Sequence, residues 1–202
     1  MPHITDDVVV VGDGPTGLQC ALLLAKNGIG VRVLGSGESP VNLAILFNHL
    51  GLDGVSGPNF MELSRQHAEH YGVHLHRQKV RQLERARDGF RAVTEDGNQF
   101  DGRYLVLAAG KDLSLARQLG VATGPDGVTA DLWGRTSVER VYAGGRATRG
   151  HRSQVATSVG DGAAIALDIL TAERGKPVHD WDTLEAATPK ADAGAASSGK
   201  AA

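Results

Sequence analysis

Four consecutive valines, Val8 to Val11, form an apolar run too short for a helix and suited to a strand buried on both faces. The turn Gly12-Asp13-Gly14-Pro15-Thr16-Gly17 follows at once. Leu18 to Asn27 then reads as a buried helix stopped by Gly28, and Val31 to Leu34 as a second strand. Residues 35–40 are a loop, and residues 41–56 show no clear period. Pro58 to Tyr71 is patterned as an amphipathic helix, with Phe60, Leu63, His67 and Tyr71 on its apolar stripe and Gly72 as its stop. After a short strand from Val73 to His76, the runs Val80 to Arg85, Phe90 to Thr94 and Phe100 to Ala108 predict an antiparallel meander turning at Asp96-Gly97. Val141 to Ala143 is a last core strand, and Ser153 to Arg174 a long helix ended by Gly175-Lys176-Pro177.

This order predicts an α/β fold: a single Rossmann-like domain of three layers. The sheet is mainly parallel, helices lie on one face, and a small antiparallel β-meander spans residues 79–103. The domain is expected over residues 1–187, with a disordered Ala/Gly/Ser-rich tail at 188–202, where there is almost nothing to bury.

The glycine turn carries the first chemistry. Gly12, Gly14 and Gly17 have G-x-G-x-x-G spacing between a strand and a helix, the setting in which the pattern binds a dinucleotide. The first glycine makes the turn, the second lets the backbone touch a pyrophosphate, and the third seats the helix on the strand. The helix start then presents free N–H groups and a partial positive charge to the phosphates. The fingerprint also expects an acid at the end of the second strand. Gly35 and Ser36 stand there, with Glu38 the nearest acid. Three readings stay open: Glu38 reaches back, backbone and Ser36 hold the ribose, or a 2′-phosphate sits there and the ligand is NADP.

Composition narrows the setting. A net charge of −2 with scattered Lys and Arg speaks against a nucleic-acid partner. The single cysteine, Cys20, fits a reducing compartment. With no signal peptide and no apolar stretch approaching ~18 residues, no membrane partner and a cytoplasmic location are expected. His67, His70, His74 and His76 lack a cysteine or well-placed carboxylate to complete a metal set, so they read as ordinary surface histidines and no metal site is expected.

Four stretches resemble the FAD domain of the low-molecular-weight thioredoxin reductase family, and most of all its small single-domain relatives. They are residues 8–24 (VVVVGDGPTGLQCALLL), 48–72, 104–110 (YLVLAAG) and 136–170. The resemblance implies that Gly12, Gly14, Pro15, Thr16 and Gly17 cradle a pyrophosphate. Gly35 and Ser36 would lie beside the adenosine ribose, and Val80 would meet the adenine through its backbone. Ala109 and Gly110 would pass close to the cofactor, Gly145 would approach the phosphates or ribityl chain, and Gln154, Val155 and Ser158 would lie near the flavin, with Asn48 a further candidate on that side.

There are departures. The family's G-D pair is Gly145-Arg146 here, and we expect Arg146 to contact the pyrophosphate. His151 and Arg152 precede the last helix and read as a polar loop, the alternative being a proton donor or anion clamp near the flavin. Only about 30 residues separate Gly110 from Val141, too few for the inserted NADPH domain, and there is no C-x-x-C dithiol. The expectation is an FAD-binding oxidoreductase fed from outside, by NAD(P)H or a redox partner protein, with no catalytic side chain identified. A homodimer is implied by resemblance alone. The alternatives are a non-catalytic dinucleotide-binding module, sensing or scaffolding with FAD or NADP, and a structural remnant with an empty site.

Overall fold

The computed structural model describes residues 3–183. The valine run lies in β1 (His3–Val11), which pairs in parallel with β2 (Val31–Leu34) on one side and β8 (Gln99–Leu107) on the other. β5 (His74–His76) extends the sheet beyond β2, and β11 (Val141–Ala143) pairs in parallel with the C-terminal half of β8. The N-terminal half of β8 instead pairs antiparallel with β7 (Gly89–Thr94), which pairs with β6 (Val80–Ala86). One long strand therefore belongs to both the parallel sheet and the meander. At the predicted hairpin, Gly97 has φ 84° and donates its N–H to the Thr94 carbonyl at 2.9 Å.

Strand alternation sorts the core into two halves. Val8, Val10, Val31, Val33, Tyr104, Val106 and Tyr142 face α1 (Pro15–Lys26), α2 (Gly57–His70) and α5 (Val155–Arg174). Val9, Val11, Leu34, Leu105, Leu107, Val141 and Ala143 face the meander. Each buried valine or leucine contributes about 1.5–3 kcal/mol of burial. α5 lies close on α1 because Gly162 has no Cβ; one there would run into the Thr16 carbonyl and sit 3.0 Å from the Cys20 amide.

Several expectations need correction. α1 starts at Pro15 rather than Leu18, since proline lacks the N–H that the first turn leaves unused anyway. On α2 the expected stripe is largely outward: Leu63 and Tyr71 are 55% and 40% exposed, and His67 is exposed, while Phe60 is half-buried. The inward line runs through Gly57, Met61 and Ala68: Met61 is fully buried, and Gly57 and Ala68 are small residues that a count of bulky apolar positions undervalues. Helices are not confined to one face, because α3 (Ser114–Gln118) packs Ala116 among the meander-side core. Residues 41–56 resolve into a 3-10 turn (Pro40–Leu43) and a two-residue hairpin of β3 (Ile45–Leu46) and β4 (Val55–Ser56). A smaller hairpin, β9 (Thr123–Gly124) with β10 (Gly127–Val128), follows α3.

Contrary to the expectation for apolar stretches, α5 is 20 residues long with a mean hydropathy of 1.3, enough by length and composition to cross a membrane. It is a core helix: Ile165, Ala166, Ile169 and Leu170 are buried. Its Asp168 is also buried, gripped by Arg135 at 2.6 and 2.7 Å and by the Tyr142 hydroxyl at 2.9 Å. The expected tail at 188–202 lies outside the described residues.

Candidate functional site

β1 neighbours β2 on one side and β8 on the other, so the chain departs in opposite directions across its C-terminal end. In open α/β sheets this reversal leaves the crevice in which ligands bind. Gly12 opens it. Its φ is 112°, its N–H bonds the Leu34 carbonyl at 2.7 Å, and a Cβ would collide with the Ala108 carbonyl, so the ends of all three strands meet there. Gly17 seats α1 on this turn, because a Cβ on it would strike the Gly12 carbonyl. Gly14 is different. It is the N-cap of α1 with φ −77° and ψ −178°, and nothing lies within 4 Å of where its Cβ would be.

The first amide of α1 with a backbone partner is that of Leu18, which donates to the Gly14 carbonyl at 3.0 Å. Pro15 has no N–H, and the amides of Thr16 and Gly17 precede the first intrahelical bond. Thr16 lines a cleft of about 820 Å³.

Most sequence-predicted residues line that single cleft. Gly12, Gly14, Pro15 and Thr16 form its floor, and Gly35, Ser36 and Val80 one end. Ala109, Gly110, Arg146, Gln154, Val155 and Ser158 form the other walls. Gly17 and Gly145 are not lining residues. Gly145 (φ 65°) is packed against Thr16, and its N–H is taken by Asp161 Oδ2 at 2.9 Å. Asn48 stands at the rim, donating its side-chain amide to Gln154 Oε1 at 2.9 Å.

The α4 turn (Arg146–Arg149) explains why position 146 differs from its neighbour. Arg149 is held by both oxygens of Asp161, at 2.6 and 2.8 Å, which pushes its guanidinium pKa up. Arg146 lines the cleft and makes no ion pair among the described residues. The sequence pattern presents Asp161 as one member of a small-residue segment; in the structure it braces the turn beneath the cleft. Its signal was an acid between Gly160 and Gly162, where a purely packing segment needs none.

Further residues join the walls without having been predicted. Lys79 and Arg81 flank Val80, an alternation that puts both charges beside one end, and Asp13 lines the cleft between the two glycines. At the opposite end Lys111 Nζ stands 3.1 Å from His151 Nδ1. No group of three or more His, Cys, Asp or Glu side chains placed to hold a metal occurs among the described residues. Cys20 is fully buried in α1, and burial pushes its thiol far up, so it stays protonated and unreactive.

A family model for pyridine nucleotide-disulphide oxidoreductases matches residues 6–162. The chain belongs to that family. Members of the pyridine nucleotide-disulphide oxidoreductase family bind FAD, with NAD(P)H as a second dinucleotide. The chain is similar to a thioredoxin reductase of Aquifex aeolicus, 30% identical over 113 residues, covering 54% of this chain and 35% of that protein. It is also similar to an NAD(P)H sulfur oxidoreductase (CoA-dependent) of Pyrococcus abyssi, 31% identical over 146 residues, covering 69% and 29% respectively. The chain thus spans well under half the length of these curated relatives. In fold it matches a thioredoxin reductase from Gloeobacter violaceus with a TM-score of 0.79 at 19% identity, covering 89% of this chain and 99% of that one.

Proposed function

We propose that this chain holds FAD in the cleft at the ends of β1, β2 and β8, and works as an oxidoreductase that exchanges electrons with a donor and an acceptor from outside the segment. The observation that carries this reading is that the first turn of α1, whose leading amides have no backbone partner among the described residues, lines one cleft together with Gly12, Gly14 and Gly35. An open Cβ position at Gly14 lets a diphosphate reach those amides, and the cleft volume is within the range of cofactor sites. The residues present therefore fit the cofactor of the family.

In this reading Gly12, Gly14, Pro15 and Thr16 hold the pyrophosphate by main-chain contact, and Arg146 supplies a cation to it. Gly35, Ser36 and Val80 receive the adenosine, while Gln154, Val155 and Ser158, at the N-terminus of α5, line the flavin side with Asn48 clamping Gln154. When bound, FAD supplies the redox chemistry through its isoalloxazine ring, so no side-chain nucleophile is required.

The sequence has one cysteine, and it is buried, so a thiol relay within this segment does not operate. Residues 111–140 fold as α3 and the β9–β10 hairpin; in this reading NAD(P)H or a redox partner protein acts from outside the segment. A second reading, a binding module without turnover, draws on Arg146 standing where the resemblance calls for an aspartate.

Spectra of the freshly purified chain separate these readings. Oxidised-flavin bands, with bleaching on anaerobic addition of NADH or NADPH, support the enzyme. Bands that no donor or reduced partner bleaches support the binding module. A colourless protein that takes up no added FAD but binds NADP overturns the flavin assignment.

A further inference from the structure

The dinucleotide fingerprint places a carboxylate at the end of the second strand, aimed at the adenosine ribose. Here that place belongs to Gly35, which has no positive φ, so its backbone does not demand glycine. What demands glycine is Asp13. A Cβ at Gly35 would collide with the carboxyl carbon and Oδ1 of Asp13. The carboxylate therefore occupies the place that the strand-end acid leaves empty, having arrived from the phosphate-binding turn. Its Oδ2 accepts the Gly37 N–H at 2.9 Å, which fixes its orientation. Its Oδ1 has no hydrogen bond among the described residues, and Asp13, Gly35 and Ser36 all line the cleft.

We propose that Asp13 is the ribose-binding carboxylate of this site and that it selects a free 2′-hydroxyl against a 2′-phosphate. The assignment rests on the dinucleotide reading above and deepens it. An ionised carboxylate only accepts hydrogen bonds. A ribose hydroxyl donates one, whereas a 2′-phosphate brings like charge against the same oxygen. The rival acid, Glu38, sits on an exposed loop and is engaged by the Ser36 hydroxyl at 3.4 Å. Asp13 is instead held between two glycines on the turn that binds the diphosphate, so its distance from the neighbouring ribose is set by the same backbone.

The test uses flavin-free protein titrated calorimetrically with ADP, 2′-deoxy-ADP and adenosine 2′,5′-bisphosphate, alongside FAD. The wild type is expected to prefer ADP to its 2′-deoxy analogue by roughly tenfold or more, as for a hydrogen bond to a charged group. Asp13→Ala should bring that ratio to near one, and Asp13→Asn should relieve the penalty on the 2′-phosphate, while Glu38→Gln keeps the wild-type ratios. If Asp13 merely braced the Gly37 loop, its variants would weaken all ligands by one factor, and that result overturns the assignment. So does loss of discrimination in Glu38→Gln with Asp13→Ala unaffected. A wild type that takes neither FAD nor ADP overturns the dinucleotide reading as well, whereas FAD binding with unaltered 2′ preference in Asp13→Ala removes this assignment alone.

Discussion

Replacing Gly14 by valine should separate binding from folding. The residue is extended (φ −77°, ψ −178°), a conformation that β-branched side chains adopt, and no heavy atom lies within 4 Å of the new Cβ. Loss of the glycine N-cap costs about 1 kcal/mol, or roughly 2–4 °C in Tm for a domain of this size. The isopropyl group, however, stands between the α1 amides and any diphosphate. Two hydrogen bonds to a charged acceptor, at about 1.5–3 kcal/mol each, are then lost. Their sum, about 3–6 kcal/mol, predicts FAD affinity lower by roughly two to four orders of magnitude. Titrating flavin-free protein with FAD, followed by flavin fluorescence, gives Kd, and a thermal scan of the same sample reports folding. Gly12→Ala is the contrast: with φ 112° and the Ala108 carbonyl in the way, it should damage the fold itself. A folded Gly14→Val protein with unaltered FAD affinity would refute the phosphate-cradle reasoning.

Arg146→Gln is expected to weaken FAD binding by roughly 10- to 100-fold, as for one charge-assisted contact, and to flatten its salt dependence; titration at two ionic strengths checks both. Acidity should probe the far end of α5. Arg103 donates to both oxygens of Glu173 at 2.7 and 3.0 Å and the Tyr104 hydroxyl donates at 2.9 Å, holding this carboxyl below its ordinary value of 4.5. The folded state then binds fewer protons than the unfolded chain, so the contribution is full above pH 4.5 and drains away as pH falls below it. Urea midpoints across that window should fall for the wild type and fall less steeply for Glu173→Gln.

Local pattern was enough to reveal the strands of the main sheet, the glycine turn and the long final helix, because burial on two faces, a positive φ and a helix stop each leave a mark within a few residues. The four valines and Gly12 are of this kind: period and residue type alone announce a central strand entering a tight glycine turn. Tertiary structure decided what depends on residues far apart in the chain. Leu63 turned outward because Gly57, Met61 and Ala68 take the buried face of α2. Asp161, distant in sequence from Gly145, braces the turn that leaves Arg146 in the cleft. Asp13 and Gly35 are 22 positions apart, and neither residue explains the other until β1 and β2 lie side by side and one carboxylate needs the room that the missing Cβ leaves.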